Sequence, residues 1–434
     1  MEFLNDLWEV KGNRLEDFYD ELKTLEKQTK AIPANMDNYH FFSVSESEEG
    51  FLGIHLKEDT LWKKTKNSLT LRKREVAMSD FAKVGYSDEV IHQAFDSGLF
   101  LSYSSKIKKV SARKEKEMIE KGMFIPVSEK AMSTISSRIN VRGNGFFNER
   151  LLRDMMIAKK FNKPVPTRLV VRTDMHTGLE KVFAVMSDKY TVIKQSIIKK
   201  IIDEITKAAK MDFGETKCYC WNIDHSITRL YLEFPDFAEE FKETYLEESE
   251  DEIIPGIFIE TSDIGDCSFR MKGYYRLACN NTIIYMEEEY SRIHTGEISE
   301  EEILKAAKEV IFPKFGYYLD CMLNLMKIDI TNDHMDDKAK VKAMKKAYRK
   351  VSKDMGLVKA IGKTREKQVM DMLISSINPD INYTGYDVAM SFLSVPEYVD
   401  LDNKSTIEAY RKATVHALMA DLSEMTVEAE KAAA

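Results

Sequence analysis

Two sets of residues have the types and spacing to touch a phosphate or a base. Arg276 and Asn280 lie four residues apart. On a strand, residues an even number apart share one face. A guanidinium beside an amide can hold a phosphate or meet a base edge. The same pair can instead tie down Asp188 or Asp263 inside the fold. Farther along, Asp336–Gln368 carries twelve Lys or Arg against four Asp or Glu, a local net charge of +8. Within it, Lys342, Lys345, Lys346, Arg349 and Lys350 cluster at helical spacing. Such a row meets phosphates without reading sequence. Arg168, Arg172 and Lys189 add cations to a β-hairpin region.

Catalytic chemistry has little to work with. The chain has no GxxxxGK[ST] loop, no GxGxxG run and no HExxH helix. Arg142-Gly143-Asn144-Gly145 is a compact glycine loop without the lysine that a phosphate cradle needs. Five cysteines are present, an odd number with no CxxC pair, which reads as reduced thiols. Cys218 and Cys220, with His225 nearby, are the one set with a zinc-like look. Cys279 with His225 or His294 is the one nucleophilic dyad on offer, and a cysteine ending a strand reads first as a small buried hydrophobe. No catalytic residue, metal or cofactor is assigned.

The chain has 434 residues, 44% hydrophobic and 31% charged, which is globular composition with room for two or three domains. Its net charge of −8 opposes nucleic acid on average, so any such contact needs a local patch. Glu233–Glu252 holds ten acidic residues and one lysine. It reads as a surface insertion, either a solvated face or a contact for a host protein. Met1–Val10 lacks the apolar stretch of a signal peptide, and no run is long enough for a membrane span. The expectation is a cytoplasmic protein with no membrane partner; self-association is left open.

The elements that must position these residues divide into three regions. Residues 1–123 read as a helical, charged region, with a helix from Glu16 to Lys30 and helix starts at Ser79-Asp80 and Ser87-Asp88. Lys106–Lys121 is basic, either a solvated helix face or a nucleic-acid contact. Residues 124–297 read as an α+β domain with a mostly antiparallel sheet. Ser128 is a plausible helix cap there. Thr167–Arg172 and Lys181–Met186 form a hairpin across an Asp174–Gly178 turn. Ile197, Ile198, Ile201, Ile202 and Ile205 give an amphipathic helix. Leu230, Leu232 and Phe234 alternate with Tyr231 and Glu233, so one strand face is buried. Residues 298–434 read as helical, with Glu300–Glu302 suited to a first turn and a broken buried helix between Val310 and Ile328. No Gly/Ser/Pro-rich linker separates the three, so the flanks are expected to wrap the middle.

Three pieces of the middle are unusual in their order. Leu169–Thr173 is followed by Val182–Ser187-Asp188-Lys189-Tyr190. Thr261-Ser262-Asp263-Ile264-Gly265 comes next. Tyr275-Arg276-Leu277-Ala278-Cys279-Asn280-Asn281 and Arg292-Ile293-His294-Thr295-Gly296 close the set. This order resembles the phage- and plasmid-encoded family known as domain of unknown function 932, over residues 124–297. The chain departs from that pattern at Lys189, where arginine is expected, and at Asn281-Thr282, where Asn-Gly is common. Lysine keeps the charge and loses the planar fork.

Read without the family, Ser187-Asp188 is cap chemistry, Tyr190 anchors a strand-to-helix corner, and Gly265 supplies a positive φ to a turn. The resemblance implies an accessory role on mobile DNA, in a host bacterial cytoplasm, and no known reaction. The leading expectation is a non-enzymatic DNA-metabolism protein that binds single-stranded or duplex DNA, of annealing or mediator type. A host-takeover protein acting through residues 233–252, and a virion or assembly component, are the alternatives.

Overall fold

The computed structural model describes residues 3–47, 50–56, 62–64, 69–71, 74–76, 85–103, 113, 125–141, 150–191, 193–237, 253–278, 281–294, 299–395 and 404–425. Its class is α+β, with a large antiparallel sheet and packed helices, as the sequence indicates.

The first third departs from its helical reading. It supplies β1 (Glu9–Gly12), α1 (Leu15–Gln28), β2 (Thr29–Asn35), β3 (Tyr39–Ser47) and β4 (Gly50–His55). Three short strands follow, β5 (Trp62–Lys64), β6 (Leu69–Leu71) and β7 (Arg74–Val76), then α2 (Asp88–Ser97), β8 (Leu99–Tyr103) and β9 (Ile125–Pro126). The expected helices at 15–28 and 88–97 are present, and Ser87 caps the second by accepting from the Val90 amide. The rest is strand because neighbouring strands recruit it. β1 pairs with a strand two hundred residues away, Glu9 opposite Asp224, and β2 pairs with residues 166–172. The first third is therefore part of the middle's sheets. The helix start at Ser79-Asp80, the basic run 106–121 (apart from residue 113) and the loop 142–145 lie outside the described residues.

The middle contains α3 (Ala131–Arg138), α4 (Arg150–Lys160), β10 (Pro166–Thr173), β11 (Glu180–Ser187) and α5 (Gln195–Phe213). Then come β12 (Lys217–Asp224), β13 (Thr228–Glu233), β14 (Ile253–Thr261), β15 (Phe269–Leu277) and β16 (Ile283–Arg292). The hairpin β10–β11 forms as expected, with Asp174 accepting from the His176 and Thr177 amides and Gly178 at φ +72°. It does not extend into the main sheet. It makes a three-stranded sheet with β2, while the main sheet has six strands in the order β1-β12-β13-β14-β15-β16. A third sheet, of five strands, runs β7-β4-β3-β8-β9.

The main sheet is two-faced because its strands alternate. Leu230, Leu232, Ile257, Ile259, Phe269 and Met271 point to the core. There they meet Ile198, Ile201, Ile202 and Ile205 of α5, all 3% exposed or less. Each such side chain contributes about 1.5–3 kcal/mol by leaving water. On the other face the register lines up Tyr231 with Phe258, Phe258 with Lys272 and Lys272 with Glu289. The next row aligns Arg229, Glu260 and Arg270.

The last third is helical: α6 (Glu300–Ala306), α7 (Phe312–Met326), α8 (Asp337–Asp354), α9 (Leu357–Ile361), α10 (Lys363–Ser375), α11 (Gly385–Leu393) and α12 (Lys404–Leu418). The apolar run between Val310 and Ile328 forms the buried helix expected of it. A wide π-type turn at Ala307–Ile311 precedes Pro313, which sits in the first turn of α7. In a first turn the amide hydrogen that proline lacks would have no partner within the helix in any case. No helix among the described residues is long and apolar enough to cross a membrane.

Candidate functional site

The cations singled out in the sequence fall into two physical classes. Arg172 is fully buried. Its Nη2 donates to both oxygens of Asp263 at 2.7 and 2.9 Å and to the His225 carbonyl at 3.1 Å. Its Nη1 lies 2.6 Å from His225 Nδ1. The other ring nitrogen, Nε2, meets the Phe3 carbonyl, which can only accept. The ring is therefore neutral, with its hydrogen on Nε2. Burial, then the Arg172 charge, pulls the His225 pKa well below the usual imidazole value. Burial works against both members of the Arg172–Asp263 pair, lowering one pKa and raising the other, and their mutual attraction opposes it.

Lys181, also fully buried, completes this joint. Its ammonium reaches Asp6 at 2.8 Å, Gln93 at 2.8 Å and the Leu4 carbonyl at 3.1 Å. Asp6 in turn accepts from Ser128 and the Glu129 amide. The N-terminal segment is thus pinned to the hairpin, α2 and the start of α3. Ser128 serves that link as well as accepting from the Lys130 amide.

Other signature residues gather at the same joint. The Tyr190 hydroxyl donates to the Ser262 carbonyl at 2.9 Å, anchoring its corner as expected. Ser262 Oγ accepts from the Ile264 and Asp266 amides. Gly265 has φ +85°, a left-handed conformation that favours glycine, and a Cβ there would also displace the end of the Met186 side chain. His294 stacks on Tyr190 at 5.3 Å and 7°. Ser187-Asp188 does not cap α5, whose N-cap is Lys194; the Tyr190 amide bonds the Ser187 carbonyl in a turn instead.

Arg276 is a second correction. It is buried and paired neither with Asp188 nor with Asp263 but with Glu233, at 2.5 and 3.0 Å. Its Nη1 donates to Asn281 at 2.9 Å, and its guanidinium lies 4.3 Å from the Tyr219 ring centre. Asn281 sits at φ +57°, a left-handed position that asparagine tolerates. Arg172 and Arg276 are therefore interior ties and offer nothing to a phosphate. Asn280 and Cys279 lie outside the described residues. So do residues 238–252 of the acidic segment. Its described part is spent internally, Glu233 on Arg276 and Asp236 on the Glu215 amide.

The zinc-like set does not assemble either. A β-bulge separates Cys218 from Cys220, and His225 is committed to Arg172 and Phe3. Burial pushes the Cys218 thiol up to about 12 and the Cys220 thiol up to about 11, away from thiolate.

The surface cations are on α8. Asp336 starts the helix by accepting from the Ala339 amide at 2.7 Å. Met344, Ala347, Tyr348 and Val351 face the core at helical spacing. Lys338, Lys342, Lys345 and Arg349 then fall on another face, spaced 4, 3 and 4, with Lys346 beside them. They border a shallow depression of about 600 Å³ with Asp337 and Val341. Among the described residues, no carboxylate lies within ion-pair reach of these five cations. Lys350 is the exception in the expected set, since it pairs with Asp354. Lys189 is exposed in the turn after β11, and Arg168 is half-buried on β10; neither lines the α8 face.

No family profile, no curated protein and no solved structure matches the chain.

A larger groove, about 990 Å³, lies on the outer face of the main sheet against α12. Tyr231, Phe258 and Tyr285 line it, with Tyr231–Phe258 ring centres 4.8 Å apart and Phe258–Tyr285 5.4 Å apart. The two tyrosine hydroxyls share a 2.8 Å hydrogen bond. Arg229 and Arg270 both hold Glu260, at 2.8 and 3.0 Å, and Lys272 holds Glu289 at 2.8 Å. Arg411 and Lys412 of α12 are exposed and line the groove. This site is not apparent in the sequence. Its available signal was Tyr231, an aromatic at an outward position of an alternating strand.

Proposed function

We propose that the chain is a non-enzymatic DNA-metabolism protein of a phage or plasmid, of annealing or mediator type, which holds the backbone of single-stranded DNA along α8. The observation that carries this reading is the row Lys338, Lys342, Lys345, Lys346 and Arg349, five cations on one helix that share their depression with Asp337 alone and have no carboxylate in ion-pair reach among the described residues. A row of this kind sits within a chain of net charge −8, so it is a local concentration against the average. Eleven residues of helix separate Lys338 from Arg349, a span of about 16 Å, long enough for several phosphates of one strand. The likeness of residues 124–297 to the phage and plasmid family supports the mobile-DNA setting. Of the acidic segment only Glu233 and Asp236 fall among the described residues, and both are committed inside the molecule.

The test is binding of a labelled oligothymidine across a salt series. Five phosphate contacts on a single strand give a slope of log affinity on log salt of about −3.5. Affinity then falls about a hundred-fold between 50 and 200 mM salt. The triple variant Lys342→Glu, Lys345→Glu, Arg349→Glu is expected to lower affinity and to flatten the slope by about 2. Absence of binding at low salt to both single-stranded and duplex DNA refutes the reading. An unchanged slope in the triple variant refutes the placement on α8.

A further inference from the structure

We infer that the groove between the outer face of the main sheet and α12 takes a nucleotide of the bound single strand, its base against the aromatic floor and its phosphate on the α12 wall. The inference rests on the reading of α8 as a single-strand contact and adds what that contact lacks, a place for bases. A helix row of lysines grips any polyanion. Single-strand binders combine such a row with aromatic rings on which bases stack, because every base has a π face.

The floor supplies the rings. Tyr231, Phe258 and Tyr285 come from three different strands and converge through the register of the sheet, Tyr231 opposite Phe258. Tyr274 packs edge-on against Tyr231 at 5.6 Å, and the shared hydroxyl hydrogen bond fixes the two groove tyrosines relative to each other. The platform is therefore held before any ligand arrives.

The charges divide by position. Glu260 is neutralised by Arg229 and Arg270, and Glu289 by Lys272, while Asp266 and Glu287 also line the groove. Those pairs leave Arg411 and Lys412, both exposed, as the cations facing the groove without a carboxylate in ion-pair reach among the described residues. Arg411 is near enough to Tyr285 for its charge to oppose the rise that burial gives that phenol's pKa. An anion on Arg411 would thus sit beside the aromatic floor. The volume of about 990 Å³ is at the upper end of the range for small-ligand sites, about 300–1,000 Å³.

The test compares an oligothymidine with an abasic strand of equal length, which keeps the phosphates and lacks the bases. The wild-type chain is expected to bind the oligothymidine about ten-fold more tightly. Tyr285→Leu is expected to bring that ratio close to one, whereas Lys345→Glu with Arg349→Glu weakens both strands alike. A second readout needs no variant: photo-crosslinking with a 5-iodouracil strand, expected to label peptides containing Tyr231, Phe258 or Tyr285. Equal wild-type affinities, or crosslinks confined to other peptides, overturn the groove while leaving the α8 reading standing. Failure of both strands to bind at low salt removes the α8 reading and the groove with it.

Discussion

The hairpin joint and helix α8 use the same side chains in opposite ways. At the joint, Arg172 and Lys181 are fully buried, and each donates to a carboxylate and to backbone carbonyls. On α8, five cations line one face with no carboxylate in reach among the described residues. A buried cation is tolerated when partners surround its charge; at Arg172 both terminal nitrogens are bonded and only Nε is not, so its partners are structural and already in place. A solvated row keeps its donors for something that arrives later. The difference places the first region in the folded interior and leaves the second facing solvent. Arg172, Tyr190, Ser262 and Asp263 belong to the first.

The largest effect should come from breaking the joint. Arg172→Met removes the partner of Asp263 and of the His225 ring, leaving a carboxylate in an apolar setting beside Val170, Phe183 and Ile264. Taking one member from a buried pair costs about 3–5 kcal/mol. Urea unfolding should show a loss of that size, and the double variant Arg172→Met with Asp263→Leu should recover part of it. A loss under about 1 kcal/mol would mean that the pair is not structural, and the comparison between the two regions would collapse.

The joint also shows what could be read in advance. The hairpin, the isoleucine stripe of α5 and the alternation in β13 were legible because each is a local pattern of period 2 or 3.6. β1 and β2 were not. β1 is four residues long, and β2 carries Pro33 opposite Arg168 on an edge position. Proline is admitted there because an edge strand need not donate every amide. Both are strands by virtue of their partners, which a single sequence does not name. The sites divide the same way. The α8 row is contiguous in sequence and was visible as a charge run. The groove draws Tyr231, Phe258 and Tyr285 from three strands and Arg411 from a distant helix, so it exists only once the register is known. Arg172 and Arg276 look like surface cations in a sequence because charge is written there and burial is not.

A middle-sized effect should follow from pH. Burial lowers the pKa of both His225 and His294, the second to about 4. In the unfolded chain each histidine takes up a proton near pH 6.5. Below that pH the unfolded state binds protons that the folded state refuses, so stability falls as pH falls. Lowering the pH from 7 to 5.5 should cost about 2 kcal/mol for the two histidines together. Urea midpoints across that range check it, and His294→Phe should remove about half of the dependence. The groups facing His225 are Arg172, Lys181 and Lys130, all cationic, so they reinforce the direction. A pH-independent midpoint between 7 and 5.5 would show that the joint is open to solvent, which would blur its contrast with α8.

The smallest expected effect is the most discriminating, because its sign is opposite. Lys342 has Lys338 four residues before it and Lys345 and Lys346 three and four after it. On a helix those are its neighbours, and like charges at that spacing destabilise by about 0.2–0.5 kcal/mol a pair. The row therefore opposes the helix that carries it. Lys342→Glu turns three repulsions into attractions. The variant should be more stable than the wild type by about 1 kcal/mol, measured by urea unfolding, while it binds an oligothymidine less tightly. A fold that would gain from losing the residue is not what holds the residue in place. If Lys342→Glu instead destabilises by about 1 kcal/mol or more, beyond what a surface substitution costs, then the row contributes to packing after all and α8 belongs with the joint rather than against it.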